Sequence, residues 1–331
     1  MVPYIFAVDE KPWCVWDPGL EEENDRFLRN MSANYFAFLA DQYLARLDSP
    51  EDEANAAIAL RASYHHGLEA MFGLLGAFVQ APGAVIAWLP KCSNQTLRTL
   101  VARVSDEGTL LTQAGRQRVS WKVLARTIHR CAFTEDEPQW ATADRYAKLW
   151  SRLARAFVDE KYTWEYNSLK HGLRVTGGTF TLKRGREHQF GVAPPDDEMV
   201  TLGISKFGNL FMMIEPLCAG DGAPDSSHVR LRRQRVNWNP VAMGQALRLV
   251  SMSIQNILSA LRIANGEEPE TLRFDRPGDP AFFEAPWLDS PSVPSFNSAP
   301  TYHEDVLAQI ALIRTQDLLL ELEKRTPRNE E

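Results

Sequence analysis

The chain has 331 residues, 44% of them hydrophobic and 24% charged, which allows a large buried core and excludes wholesale disorder. Its formal charge of −7 is uneven: residues 1–60 carry −8, residues 61–265 carry +9 and residues 266–331 carry −8, which points to an anionic partner for the middle or to an unevenly charged surface. The four cysteines, Cys14, Cys92, Cys131 and Cys218, never form a C-x-x-C pair, which argues against a zinc ribbon, a redox dithiol or a disulfide framework and fits a reducing, cytoplasmic setting.

The first residues, MVPYIFAVDEKPW, lack the basic stretch and apolar run of a secretory signal. A first helix is predicted from about Asp25 to Leu47, where Phe27, Met31, Tyr35 and Phe38 recur at helical spacing. Ser49-Pro50-Glu51-Asp52 opens a second, with serine as cap, proline in the first turn and acids against the helix dipole. It should run to Gln80 and stop before Pro82. No charged residue occurs from Ala70 to Leu89, nearly a spanning length. Gln80, Pro82 and Gly83 interrupt it, however, and its apolar residues keep to one face, so a core helix and no membrane contact is the expectation.

Shorter helices are expected near 95–105 and 116–131. Another starts near Pro138, with Ala143, Ala147, Trp150, Ala154 and Phe157 as its stripe, and extends with or without a break to His171. Gly172 then ends it in the left-handed conformation. Strands follow at Leu173–Thr176, Thr179–Leu182, Met199–Ser205, Leu210–Leu217 and Val229–Trp238, with Phe207-Gly208-Asn209 as a hairpin turn and 220–225 as a loop. Asn239 and Pro240 open a buried helix that repeats Met243, Leu247, Val250, Ile254, Ile257 and Leu261 and ends at Asn265-Gly266. Residues 266–300, rich in proline and acids, read as an extended wrap or linker. A last acidic helix follows, with Thr301 and Glu304 as capping box, Val306, Ile310 and Ile313 as its face and Pro327 as its exit. The fold class is therefore α+β and mainly α: an N-terminal helical bundle, a small antiparallel sheet at about 172–238 and long C-terminal helices. Residues 1–265 form one body, and 266–331 an appended linker and helix.

Three clusters could carry chemistry. In Tyr166-Asn167-Ser168-Leu169-Lys170-His171-Gly172, Asn167 and His171 lie at i and i+4 on one helical face with Lys170 beside them. A histidine near a cation and an amide can move protons and hold a phosphate. Equally, Lys170 and His171 suit a helix C-terminus on electrostatic grounds alone. On the second helix Arg61, His65 and Glu69 are spaced by four. His65 shares a stripe with Leu68 and Phe72 and reads as a core histidine, while Glu69 could orient His171 if the two helices pack. H-E-x-x-H is absent, and so is any third zinc ligand at suitable spacing. In the strand after 228, alternation puts Arg230 and Arg232 on one face and Arg233 and Arg235 on the other, as phosphate contacts extended by Lys183, Arg184 and Arg186 or as solvated edge charges. With no G-x-G-x-x-G, Walker loop or G-x-S-x-G in context, neither a cofactor nor a metal is expected.

Asn167-x-x-x-His171, late in a helical bundle and after an aromatic helix, resembles the motif of the HEPN superfamily, over about residues 20–175 at most. Its members are helical domains, many of them metal-independent ribonucleases, whose motif runs arginine, polar residue, short spacer, histidine. Asn167 matches the polar position and His171 the histidine, while Tyr166 stands in the arginine slot. The resemblance implies RNA or another polyanion as partner, catalysis by His171 with Asn167 and a homodimer, with Lys170 or Arg174 as the replacement cation. The rival expectation is a non-catalytic interaction or scaffold protein that keeps the helical fold.

Overall fold

A computed structural model describes residues 3–106, 108–172, 174–189, 192, 194–218, 224–289, 295–298 and 314–325, and the fold is mixed α+β, 55% helix and 18% strand. Two short strands precede the helices: β1 (Tyr4–Val8) and β2 (Lys11–Val15) pair as an antiparallel hairpin. It is pinned to the helices by Trp88 Nε1, which donates to the Ala7 carbonyl at 3.0 Å, and by Gln80 Nε2, which donates to the Asp9 carbonyl at 2.8 Å.

The single helix expected over 25–47 is two, α1 (Leu20–Asn30) and α2 (Tyr35–Leu44). Met31 turns extended, and the break is stabilised from outside: the Ser251 hydroxyl donates to the Ala33 carbonyl and accepts from the Ala37 amide. Helix α3 (Glu53–Gln80) starts after a turn over 49–52, with Asp52 rather than Ser49 at its cap position. It runs as far as Gln80, as the sequence indicates, and Ala81 leaves helical geometry before Pro82. No single helix among the described residues is long and apolar enough to cross a membrane. The one bent pair that passes by composition, Glu53–Gln80 with Pro82–Lys91, turns by 114°.

Helix α4 (Val85–Trp88) is short, and α5 (Asn94–Ser105) is capped by the Ser93 hydroxyl. The helix expected over 116–131 begins later. Gly115 (φ +95°) turns a hairpin of β3 (Thr109–Thr112) and β4 (Gly115–Arg118), and only then does Ser120 cap α6 (Trp121–Ile128). Helix α7 (Ala141–Val158) is separated from α8 (Glu160–Lys170) by Asp159, whose extended backbone ends one helix and whose carboxylate caps the next.

The β-rich segment is several small antiparallel sheets. Strands β5 (Thr176–Gly177), β8 (Gly208–Cys218), β9 (Pro224–Asn237) and β10 (Phe296–Ser298) lie in the order β10-β9-β8-β5, while β6 (Phe180–Arg184) and β7 (Val200–Ser205) pair apart from them. Phe207-Gly208-Asn209 is therefore not a hairpin turn: β7 and β8 are consecutive but belong to different sheets. Of the expected strand Leu173–Thr176, Leu173 lies outside the described residues and, of the other three, only Thr176 enters a strand.

Helix α9 (Pro240–Ala264) begins where expected, with Asn239 Oδ1 accepting from the Val241 and Ala242 amides, and its apolar stripe packs on α3 and α2 in the main core. After Gly266 the chain straps back across α7 and α9: Asn256 Nδ2 and the Tyr146 hydroxyl donate to the Asp275 carbonyl, and Phe283 is buried. The expected capping box and face over 301–313, residues 220–223 of the expected loop and Pro327 lie outside the described residues; the last two residues of that loop, Pro224 and Asp225, belong to β9 instead, and α10 covers Thr315–Arg325.

Gly67 marks where α3 meets its neighbours. A Cβ there would sit 2.8 Å from Leu247 Cδ1 of α9 and 3.4 Å from Phe36 Cδ1 of α2, both in the core. Overpacking of this kind costs about 1–3 kcal/mol. Gly67→Leu should therefore lower the unfolding free energy in urea by about that much, while Gly67→Ala recovers up to about 1 kcal/mol in helix propensity and stays near neutral. A Gly67→Leu protein as stable as the wild type would show that α3 and α9 are not in close contact there.

Candidate functional site

The site rests on a buried charge cluster beneath α8. Arg61 and His65, one turn apart on α3, and Glu165 of α8 are 3%, 6% and 0% exposed. Arg61 Nη2 donates to Glu165 Oε2 at 2.6 Å and Arg61 Nε to Oε1 at 3.1 Å; His65 Nε2 lies 3.1 Å from Oε2, and Asn209 Nδ2 of β8 donates to Oε1 at 2.9 Å. Both carboxylate oxygens are thus saturated by donors from two elements, α3 and β8. The Arg61 guanidinium also stands over the rings of Tyr162 (5.0 Å), Trp238 (5.2 Å) and Tyr64 (5.5 Å). Burial alone would raise the Glu165 carboxyl, but the Arg61 charge and the His65 and Arg61 hydrogen bonds outweigh it and hold it at about 2. Burial, reinforced by Arg61, pushes His65 below its ordinary value, so at neutral pH it is an uncharged donor.

His65 is thus a core histidine, stacked on Tyr166 at 5.4 Å. The sequence reading of Arg61, His65 and Glu69 as one face missed Glu165, which is 104 positions away along the chain. An arginine and a histidine one turn apart on an otherwise apolar helix were the available signal.

With Glu165 fixed toward the core, Trp164, Asn167, Ser168 and His171, at i, i+3, i+4 and i+7, share another face of α8. They line one wall of a groove of about 480 Å³, whose opposite wall is the sheet at Leu210, Met212, Ile214 and Leu231. Arg174 completes it. Gly172 takes φ +108°, and the Arg174 amide returns to the Ser168 carbonyl at 2.8 Å, so the chain folds back on the helix end and sets Arg174 beside His171. His171 and Arg174 are exposed. Asn167, His171 and Arg174 therefore come together.

Lys170 and Glu69 do not join them. Lys170 Nζ lies 3.6 Å from Glu69 Oε1 and over the Tyr166 ring, and neither residue lines the groove, so Glu69 does not orient His171. The reason is angular: one residue of helix is about 100° of rotation, which carries Lys170 out of the face that holds His171. Tyr166 is buried, and burial, then the Glu69 carboxylate, raise its phenol; its side chain does not line the groove either.

The four strand arginines divide as alternation requires. Arg230 and Arg232 both bind Glu215 of β8, with Arg230 Nε at 2.9 Å, and hydrogen bonding from Arg232 leads in lowering that carboxyl. Arg233 is exposed on the other face, and Arg235 lies 4.3 Å over the Phe180 ring. Glu215 occupies the pair on the first face, so Arg230 and Arg232 are not free phosphate contacts. Among the described residues no group of three His, Cys, Asp or Glu side chains could hold a metal ion.

Comparison with protein-family models, curated proteins and solved structures gives no match for this chain, so the HEPN resemblance rests on the motif residues alone.

Removing one partner of a buried pair leaves the other charge uncompensated, at about 3–5 kcal/mol. Arg61→Met should lose that much in urea unfolding, and adding Glu165→Leu should restore part of it; a double variant no better than the single would show that Glu165 carries no buried charge. Acid provides a second test. Glu165, depressed from 4.5, gives stability that is full above that value and lost as pH falls through about 2. His65 and His129, the latter lowered to about 4 by burial, are depressed bases, so their contribution is full above 6.5 and lost as pH falls below it. The unfolding free energy from urea titration should therefore drop between pH 7 and pH 4, by about 1–2 kcal/mol per pH unit near pH 5. A flat profile there would contradict neutral buried histidines.

Proposed function

We propose that this chain is an RNA-directed, HEPN-like protein that holds single-stranded RNA in the groove between α8 and the β8–β9 sheet. The observation that carries the reading is the shared lining of Asn167, His171 and Arg174: a half-buried amide with an exposed imidazole and an exposed guanidinium in one groove. Guanidinium binds phosphate through paired charge-assisted hydrogen bonds, and a histidine side chain can accept or deliver a proton. Arg174, not Lys170, supplies the cation, because Lys170 is engaged with Glu69.

Cleavage in this reading is metal-independent. His171 takes the proton of a ribose 2′-hydroxyl, the oxygen attacks the adjacent phosphorus, and the 5′-oxygen leaves with a proton from water, giving a 2′,3′-cyclic phosphate and a 5′-hydroxyl. Asn167 positions the phosphate and Arg174 balances its added charge. The HEPN-like extent over residues 20–175, a homodimer and a cytoplasmic setting belong to the same proposal.

One observation favours a second reading, a non-catalytic protein-interaction surface. The sheet wall of the groove is apolar, with Met212, Ile214 and Leu231 46%, 48% and 57% exposed. A wall of this kind suits the side chains of a peptide as well as stacked bases.

Incubation with a mixed RNA pool in EDTA separates the two readings. The wild type should bind and cleave; His171→Ala should bind without cleaving, and Arg174→Ala should bind about tenfold more weakly, the worth of one charge-assisted contact. Retention of RNA by wild type and His171→Ala alike, with no cleavage, would leave binding and remove the enzyme. No RNA retained by the wild type at high protein concentration would remove the RNA reading and favour the protein partner.

A further inference from the structure

A second hollow, of about 410 Å³, lies away from the groove among the end of α5, the start of α6 and one face of α7. Four cations line it, Lys122, Lys148, Arg152 and Arg155, against a single carboxylate, Asp144. That carboxylate is already committed: Arg126 grips it with two hydrogen bonds, Nε to Oδ1 and Nη2 to Oδ2, both 2.9 Å. Hydrogen bonding from Arg126 leads in holding Asp144 below the usual carboxylate range, with Lys122 and Lys148 adding to it.

The cations are not equivalent. Arg152 pairs with Glu284 of the strap and stands 5.0 Å over the Trp287 ring, which fixes it at the rim. Lys122 is 3.9 Å from Asp144, a shared and distant partner. Lys148 and Arg155, spaced seven apart on α7, have no carboxylate within 4.0 Å among the described residues, Lys148 acting on Asp144 only from farther off; Arg155 Nε reaches only the Ser151 carbonyl at 3.5 Å. The Ser120 and Ser151 side chains add hydroxyls to the lining, while the Ser105 hydroxyl is spent on the Val101 carbonyl and Trp121 Nε1, and the first turn of α6, with its positive dipole end, forms one wall.

In a chain of net charge −7, this gathering of positive charge in a concavity works against self-attraction within the fold. Like charges around one hollow repel, and an anion that enters relieves all of those repulsions together. Lys148, Arg152 and Arg155 follow one another at i, i+4 and i+7 along about 10 Å of α7, and Lys122 meets them from α6, a span that fits a compact, multiply charged anion better than a long polymer backbone. The volume is within the range of small-molecule sites. We propose that the α5–α6–α7 hollow binds the diphosphate group of a small phosphorylated molecule, with Lys148 and Arg155 as its principal contacts, Lys122 and Arg152 at its edges and the Ser120 and Ser151 hydroxyls as donors. The site is independent of the RNA groove and holds or fails without it.

Calorimetric titration of the full chain with inorganic pyrophosphate tests this, against sodium chloride at matched ionic strength. The wild type should bind one pyrophosphate per chain. Lys148→Glu with Arg155→Glu, both exposed side chains, should weaken binding at least about tenfold, the loss of two charge-assisted contacts. Lys324→Glu with Arg325→Glu, the same charge change on the exposed α10, should stay within about twofold of wild type. Circular dichroism and thermal midpoints without pyrophosphate confirm that both variants fold. The proposal is overturned if the wild type does not bind, if sodium chloride reproduces the heat, if the α7 variant binds as the wild type does, or if the α10 variant weakens as much as the α7 variant.

Discussion

The Arg61–Glu165 pair fixes how the helical body meets the sheet. Burying a carboxylate and a guanidinium costs several kcal/mol each, and their attraction repays that only when every remaining lone pair is satisfied. Here saturation takes His65 from α3 and Asn209 from β8 in addition to Arg61. The pair therefore adds little net stability but imposes a strong geometric condition. Helix α8 can lie only where Glu165 meets all of these donors, which sets its rotation about its own axis. A slip of one residue, about 100°, would turn His171 out of the groove and put an uncompensated charge in the core. The polar face of the groove is a consequence of a contact made on a different face of the same helix.

The parts of this arrangement that local pattern controls are legible in the sequence. Helix α9 shows its cap, its apolar stripe and its exit at Asn265-Gly266, and α3 its end before Pro82, because helical periodicity and capping chemistry act within a few residues. Gly172 reads as a helix stop for the same reason, and the i, i+4 spacing puts Asn167 and His171 on one face without knowledge of the fold. What could not be read depends on partners far along the chain. The break between α1 and α2 is held by Ser251, over 200 positions away. The hairpins β1–β2 and β3–β4 are too short to show a period. Strand pairing failed at Phe207–Asn209 because a glycine turn between two strands is the same signal whether the strands pair or part. Glu69 was matched to His171 by proximity of helices, but the angle between them gives it to Lys170.

Charge shows the same division between what composition contains and what only geometry assigns. The excess of +9 in residues 61–265 is correct as a sum, and the cluster of arginines over 230–235 was its most visible part. Glu215, on the neighbouring strand, neutralises two of them. The cations with no carboxylate within 4.0 Å among the described residues include Lys148 and Arg155, which sit opposite the apolar stripe of α7. A basic residue gains significance from what fails to face it, and that is a property of the tertiary structure.

The groove has a polar wall and an apolar one because its two sides come from elements with different obligations. Helix α8 spends its inner face on the Glu165 cluster, so its groove face is free to carry Asn167 and His171. The sheet packs Phe211 and Met213 inward, and strand alternation then turns Met212 and Ile214 outward as half-exposed apolar side chains. Strand β5 pairs with β8 only at Asn209 and Leu210, so the edge of β8 beyond them has no strand beside it on that side among the described residues. Any occupant must therefore meet three surfaces at once: hydrogen-bonding side chains from the helix, aliphatic side chains from the sheet and backbone groups from the strand edge. A phosphate alone satisfies only the first. A nucleotide strand with its bases toward the sheet, or an extended peptide along the edge, satisfies more of them, and the two differ in whether Arg174 meets a phosphate or a carboxylate. The cation at position 174 is thus the residue on which the identity of the ligand turns.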